Sequence, residues 1–462
     1  MNQEELARCH LIISHPTKPK FLAIRLSDGS WSPPWVSVPQ AGFVGSRASD
    51  ISRTVREQYG LNTTVLRQLF ESRLYHCLEL EVHSQAAAQN YKAIWVGAED
   101  YRKFRNFPYE DYDPFELWLD GASRPEPPRG RLPWERPGWF RAAADWFTHQ
   151  LETRHIQVTG SVQQLRAAWQ SSAILRVRTS VGDHFLKAAF VAPPNEAALT
   201  LALSERWPEL VPKPVSVDTR RDWLISPDYR GAVPAMMAAG DYARAARSLA
   251  QLQIESAEEL DRWRQAGCID RGPGILFDFL GSFDRLHPLL RSGRSPFDSG
   301  EMSSLNIKIK KLGDKCQQLS EHGIPDTLVY ADFSPSNVYR REQGYWLTDW
   351  ADSIISNPLF SLAWFIQAFL LDRQRRPDSG DSPDAVIEGV TDAYLAPFET
   401  FAPRPDGLRE ALNLAAELST ACRLQQWFEL LPLLEPNSRA SRRVEAAIRK
   451  TCRLWAAEEA GG

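Results

Sequence analysis

The chain has few cysteines, and the six it has (Cys9, Cys77, Cys268, Cys316, Cys422 and Cys452) form no CxxC pair and have no histidine at metal-ligand spacing. That excludes a zinc module and a disulfide scaffold, and it predicts buried thiols in a reducing compartment. Long apolar runs are missing too: none approaches the ~20 residues that a membrane helix needs. The start, Met1-Asn-Gln-Glu-Glu5, lacks the basic and apolar regions of a signal peptide. A cytoplasmic protein is expected. Nor is there a block of charge of one sign, and the net charge is only −4. Nothing calls for a nucleic-acid groove or an anionic membrane surface, which leaves a small metabolite as the expected partner. No internal repeat or low-complexity tract is present.

What is present is length. At 462 residues and 43% hydrophobic composition, the chain exceeds what a single core organises, so two or three domains are expected. The sixteen tryptophans are spread along it and read mostly as core. Short apolar runs at 9–14 and 20–26, separated by His15-Pro-Thr-Lys-Pro19, suit a hairpin, and further strands are predicted at 64–70, 74–83 and 93–97. Between them, 49–59 has Ile51 and Val55 at helical spacing and stops at Gly60. Residues 121–138 hold five prolines among glycines and charges, which predicts an extended linker or surface arm. An amphipathic helix is predicted over 139–154, strands at 173–179 and 183–190, and a mainly helical region beyond about 242, interrupted by a strand pair within 327–347.

The strongest chemical signal is Leu328-Val-Tyr-Ala-Asp332-Phe-Ser-Pro-Ser-Asn337-Val338, followed by Tyr345-Trp-Leu-Thr-Asp349-Trp350. Apolar strands flank both acids, so Asp332 falls on a loop and Asp349 at a strand end. Phosphoryl transfer asks a protein to orient the attacking hydroxyl, hold magnesium against phosphates and neutralise developing charge. Asp332 suits the first task as proton acceptor. Asn337 offers a neutral oxygen and Asp349 a charged one, enough for Mg2+, which keeps water and phosphate in its shell. The blander reading is that an Asp and an Asn cap turns beside strands. Three such residues in one order between strands weigh against it.

Upstream, Phe185-Leu-Lys187-Ala-Ala189 places a lysine inside an apolar strand. Either an anion meets it there or it snorkels to solvent at the strand edge. Glu196, opening a helical stretch after Pro193-Pro194, can supply the carboxylate.

The catalytic-loop spacing resembles that of the aminoglycoside phosphotransferase and choline kinase family, whose loop usually reads His-Gly-Asp, four residues, then Asn, with Ile-Asp-Trp or Ile-Asp-Phe downstream. The resemblance runs from about residue 158 to the C-terminus. It implies a bilobal, protein-kinase-like α+β fold with an N-lobe over 139–228 and a mainly helical C-lobe over 229–462. It also implies an ATP- or GTP-dependent phosphotransferase acting on a hydroxyl of a metabolite or antibiotic. Asp332 would be the base, Asn337 and Asp349 the magnesium ligands, and Lys187 with Glu196 the clamp on the nucleotide's phosphates. Trp169-Gln-Ser171-Ser172-Ala173 would lie in the phosphate-covering hairpin, and Ile225 to Asp228 of Trp223-Leu-Ile225-Ser-Pro-Asp228 would meet the adenine.

The chain departs from the pattern at Tyr330-Ala331 for His-Gly, at Ser334 and Ser336, at Asn357-Pro358 for Asp-Pro, and at Ser361 for another Asp. Tyr330 is expected to alter loop packing. A pseudokinase that serves as a scaffold is the competing reading, and the complete set of acids and the lysine argues against it. Asp352 either faces the acceptor or caps the next turn. Trp364, Phe365, Phe369, Trp427 and Phe428 either form a cage for a cationic amine or belong to the core.

In the first 120 residues, Val38-Pro-Gln-Ala-Gly42 followed by Arg53-Thr-Val-Arg-Glu57-Gln58-Tyr-Gly60-Leu61 resembles a Nudix box. Thr54 and Gln58 stand where that box carries glutamates. The resemblance therefore implies a degenerate Nudix-like α/β accessory domain that is not a hydrolase.

Overall fold

A computed structural model describes residues 6–15, 18–39, 48–72, 75–83, 93–97, 99–100, 114–122, 124, 126–166, 172–190, 196–229, 238–293, 295–375, 381–401 and 407–460. Its contacts divide the chain into two units, one of Met1–Phe190 with Pro432–Arg442 and one of Val191–Leu431 with Arg443–Gly462. The class is α+β, as expected.

The first unit contains β1 (Leu6–Ser14), β2 (Lys20–Arg25), β3 (Trp31–Ser32), β4 (Trp35–Pro39), α1 (Ala48–Tyr59), β5 (Thr63–Glu71), β6 (Tyr75–Val82), β7 (Ala93–Gly97), α2 (Pro114–Ala122), α3 (Trp139–Glu152), β8 (Gln163–Arg166), β9 (Ser172–Thr179) and β10 (Gly182–Ala189). The sheet runs β3-β2-β1-β6-β5, with β4 pairing β1 and β7 pairing β2. β1 and β2 pair antiparallel, as a hairpin should, while β1 also runs parallel to β6. Period-2 alternation explains the two-faced core. Cys9, Leu11 and Ile13 of β1 face Ile51, Val55 and Tyr59 of α1, whereas Ile12 faces Phe115 and Trp118 of α2.

The proline-rich stretch does not extend away from the protein. Leu132 and Trp134 are buried, Pro133–Glu135 forms a 3-10 turn, and Arg131 makes two hydrogen bonds to the Glu435 carboxylate at 2.9 and 2.8 Å. Gly130 allows this approach: at φ 81° it accepts from the Glu435 amide at 2.9 Å, and a Cβ there would meet that nitrogen at 2.5 Å. A buried Arg67–Glu79 pair at 2.6 Å lies in the same unit. β8 joins the N-terminal sheet through Gln164, whose side-chain amide bonds both the N–H and the C=O of Val65 at 2.9 Å. That reciprocal pair satisfies buried backbone groups of Val65, whose strand pairs with β6 opposite Leu80 and stands at the end of the strand order.

The second unit contains α4 (Glu196–Arg206), β11 (Ser216–Asp218), β12 (Trp223–Pro227), α5 (Ala239–Ser256), α6 (Leu260–Gln265), α7 (Pro273–Gly281), α8 (His287–Leu290), α9 (Ser299–Glu321), β13 (Thr327–Val329), β14 (Val338–Arg340), β15 (Tyr345–Leu347), β16 (Ile354–Ser356), α10 (Leu359–Arg375), α11 (Pro383–Leu395), α12 (Gly407–Leu430) and α13 (Arg439–Ala460). The strands expected within 327–347 are not one pair. β14 pairs with β15, and β13 pairs with β16 instead. The reason is the loop between β13 and β14, which carries the chain away before it can return as a hairpin.

No helix among the described residues is long and apolar enough to cross a membrane. All six cysteines are free and buried. Burial pushes the thiols of Cys268, Cys316 and Cys452 up to about 12, so they are inert at neutral pH. Lys308 and Lys311 on α9 pair with Glu458 and Glu459 at 2.8 and 2.6 Å.

Candidate active site

The site is built on β13 and its supports. α5 presents two polar side chains to the buried strand: the Ser256 hydroxyl accepts from Leu328 N–H at 2.9 Å, and Gln253 Nε2 donates to Leu328 C=O at 3.0 Å. Gln253 Nε2 also donates to Ser361 Oγ at 3.0 Å, and that hydroxyl accepts from Tyr330 N–H at 3.0 Å. Tyr394 donates to Pro358 C=O at 2.7 Å and to Gln253 Oε1, closing the network. Ser361, which stands where an aspartate is common, thus fixes the backbone two residues before Asp332. Asn357, the other departure, accepts from Leu359 N–H at 3.1 Å at the start of α10.

Asp332 follows on an open loop, and Pro335–Asn337 forms a 3-10 turn that brings the asparagine back over it. Asn337 Nδ2 donates to the Asp332 carboxylate at 2.8 Å and to its backbone carbonyl at 2.9 Å. Both bonds use the amide nitrogen, so the amide oxygen is the atom left to a cation. Asp349 comes directly after β15 and Thr348, with Thr348 N–H bonded to Asn337 C=O at 3.0 Å. Its φ of 66° is left-handed, a conformation that costs an L-residue free energy and that surrounding structure must hold in place.

The tip of Asp332 reaches solvent, yet protein surrounds it closely enough to strip away much of its water. Burial, then the charge of Asp349 and that of Asp352, push its carboxyl up to about 6, against the Asn337 hydrogen bond and the Arg423 charge. Tyr330 ties the two acidic segments together. Fully buried, it stacks on Trp350 at 4.2 Å and donates its hydroxyl to Thr348 C=O. Burial and the charges of Asp332, Asp349 and Glu196 raise the phenol well above its ordinary value, so it remains a neutral donor.

The segment after β12 also lies here. Tyr229 packs edge-on against Tyr339 of β14 and Trp346 of β15, at 5.8 and 5.5 Å. Burial, with the charges of Asp349 and Asp228, raises the Tyr339 phenol. Ile225 is buried within β12, and Asp228 is exposed beyond it. The second unit therefore brings together Asp332, Asn337 and Asp349, with Asp228 and Glu196 near enough for their charges to act on the neighbouring tyrosines. Glu196 is itself buried and opens α4, where Asp222 accepts from the next residue's N–H at 2.7 Å. Lys187 is half-buried in β10 of the first unit, and Ser172 is buried at the start of β9. Ser171, Trp169 and Pro193-Pro194 lie outside the described residues.

Sequence reasoning did not single out Arg423 or Gln426. Arg423 on α12 donates to Ala331 C=O at 3.3 Å and to Gln426 Oε1 at 2.8 Å, pairs with Asp352 at 3.8 Å and lies over the Trp364 ring at 5.1 Å. Gln426 Nε2 in turn donates to Asp352 at 2.9 Å. No sequence motif marks either residue, since Arg423 reaches Ala331 across 92 positions and Gln426 reaches Asp352 across 74.

A scan against family models finds no match, and neither does a search of curated proteins. Solved structures do match. A choline/ethanolamine kinase family protein from Mesorhizobium loti is similar at 15% identity and a TM-score of 0.41, over 65% of this chain and 93% of its own. A macrolide 2'-phosphotransferase from Brachybacterium faecium aligns at 16% identity and a TM-score of 0.43, over 66% and 98%. A choline kinase from Streptococcus pneumoniae aligns at 13% identity and a TM-score of 0.43, over 67% and 98%. These neighbours are of the group that the catalytic-loop motif resembles.

Three of the five aromatics weighed as an amine cage are core. Trp364, Phe365 and Phe369 are buried, with Phe365 packed on Phe333 at 4.6 Å and on Tyr242 at 5.7 Å. Phe428 packs on Phe279 at 5.8 Å and lies under Arg285. In the first unit, the α1 positions expected to lack glutamate are engaged locally: Thr54 donates to Asp50 C=O at 2.9 Å, and Gln58 to the Tyr59 hydroxyl at 3.0 Å. Gln40, Ala41 and Gly42 of the Nudix-like stretch lie outside the described residues.

Proposed function

We propose that the second unit carries the catalytic centre of a small-molecule kinase, which transfers the γ-phosphoryl group of ATP or GTP to a hydroxyl of its acceptor. The observation that carries this reading is the Asp332–Asn337 contact at 2.8 Å, locked to the segment of Asp349 through Thr348. In such a transfer the acceptor oxygen forms a bond to the γ-phosphorus as the bond to the β,γ-bridging oxygen breaks, and the nucleoside diphosphate leaves. Asp332 takes the hydroxyl proton, for which a carboxyl raised to about 6 is a stronger base than an ordinary aspartate and is still ionised at neutral pH.

The donor set of one amide oxygen and one carboxylate fits Mg2+, which takes few protein ligands and keeps water and phosphate in its shell. Asn337 through its amide oxygen and Asp349 through its carboxylate would hold the ion, which supplies charge neutralisation at the transferred phosphate. The left-handed backbone at Asp349 supports this role, because strain of that kind persists where geometry is over-determined. Within the second unit, Glu196 is the proposed carboxylate of the phosphate clamp, and Ile225 to Asp228 are proposed to receive the base; in the first unit, Lys187 and Ser172 are proposed as phosphate-binding residues. The first unit, with Thr54 and Gln58 at the metal-gathering positions of its helix, is proposed to be a non-hydrolytic accessory domain.

The test is thermal stabilisation by nucleotide with and without Mg2+, followed by transfer of labelled phosphate. Stabilisation that depends on both nucleotide and Mg2+ is expected. No stabilisation by either nucleotide would sink the kinase reading and favour a scaffold.

A further inference from the structure

We propose that the acceptor phosphorylated at Asp332 is an uncharged, polyhydroxylated small molecule and not a cationic amine, because Arg423 already fills the cation position beside that carboxylate. The inference rests on the kinase reading and narrows its substrate class. An acceptor whose hydroxyl reaches Asp332 must sit beside the groups that border it, and those form one closed network. Arg423 donates to the carbonyl of Ala331, immediately before Asp332, and its guanidinium faces the Trp364 ring at 5.1 Å. An ammonium acceptor would use an aromatic face and a carboxylate in the same way. Here both are taken: Trp364 by Arg423, and Asp352 by Arg423 at 3.8 Å and Gln426 at 2.9 Å.

Asp332 and Asp349 have roles of their own. Asp332 accepts from Asn337, and Asp349 is the proposed cation ligand. A cationic acceptor placed against Ala331 would meet the Arg423 guanidinium there, a like-charge juxtaposition that disfavours binding. Asp352, Arg423 and Gln426 together present planar donors and acceptors within one small area, all three part-exposed. That alternation of donor and acceptor matches a set of neighbouring hydroxyls, each of which both donates and accepts.

The experiment measures kcat/KM for a panel of neutral sugars and polyols, amino alcohols and aminoglycosides, with wild type, Arg423→Gln and Arg423→Lys. The expected result is a best acceptor that is neutral. In Arg423→Gln the ratio of cationic to neutral kcat/KM should rise roughly tenfold or more, while Arg423→Lys keeps the wild-type ratio. A cationic amine as the best wild-type acceptor, or an unchanged ratio in folded Arg423→Gln, overturns the proposal. So does rejection of every neutral acceptor by an enzyme that retains Mg2+-dependent nucleotide hydrolysis. Loss of hydrolysis and of nucleotide binding in wild type would instead refute the underlying kinase reading. Should Arg423→Gln fail to fold, the wild-type panel and Arg423→Lys still decide.

Discussion

Removing one oxygen from Tyr330 tests how the two acidic segments are coupled. In Tyr330→Phe the ring keeps its stack on Trp350 at 4.2 Å and its volume, so no cavity opens. What is lost is the donor to Thr348 C=O, one residue before Asp349, in a place where the phenol ring is wholly buried. Leaving this part-buried carbonyl without its donor costs at most about 1–3 kcal/mol. For a unit of this size, each kcal/mol moves the midpoint by roughly 2–4 °C, so a fall of about 2–12 °C is expected by calorimetry.

Activity should suffer beyond stability. Thr348 also holds Asn337 C=O through its N–H at 3.0 Å, so freeing its carbonyl loosens both proposed cation ligands. A small misplacement of a reacting group can cost up to ~100-fold. We therefore expect kcat to drop about 10- to 100-fold with a higher Mg2+ requirement and little change in acceptor KM. Unchanged melting and turnover would refute the coupling. A destabilised variant with wild-type turnover would leave Tyr330 as core alone.

Asp332→Asn should abolish transfer yet stabilise the protein. The Asp332 carboxyl is raised from 3.8 to about 6 in the folded state, so across that window the native form holds its proton more tightly than the unfolded chain, and wild-type stability falls as pH rises. Asparagine does not titrate. The midpoint difference in its favour should therefore grow between pH 4 and pH 6 and stay level above, by roughly 2–4 °C for each kcal/mol relieved; a difference independent of pH would contradict the rise that burial, and after it the charges of Asp349 and Asp352, impose on this carboxyl. In the first unit, Gly130→Ala should lower the melting midpoint, because its new Cβ would meet Glu435 N at 2.5 Å in a left-handed backbone. A loss of about 1–3 kcal/mol is expected, and wild-type melting in that variant would show that the 432–442 segment adjusts without cost.

The sequence and the structure agree on the strands and loops that carry the candidate residues. Asp332, Asn337 and Asp349 were legible because their spacing is local and strand residues flank them. The hairpin of β1 and β2, α1 and its stop at Gly60, and α3 followed from periodicity and turn residues for the same reason. Long-range partners were not legible. Prolines at 125–137 read as an extended linker or surface arm, but Leu132 and Trp134 are buried and Arg131 bonds Glu435 some 300 positions later. β13 finds β16 and not the nearer strands, because the catalytic loop intervenes. Arg423 and Gln426 carry no motif at all and become visible only when α12 is seen to touch the loop.

The central claim is phosphate transfer at Asp332. Its most direct test is the rate of labelled phosphate transfer from Mg2+-nucleotide to a hydroxyl acceptor, measured in parallel for wild type and Asp332→Asn. Transfer by wild type, and a loss in the variant of at least the roughly 100- to 10,000-fold that general-base catalysis contributes, is the predicted result. Equal rates in the two proteins would contradict it.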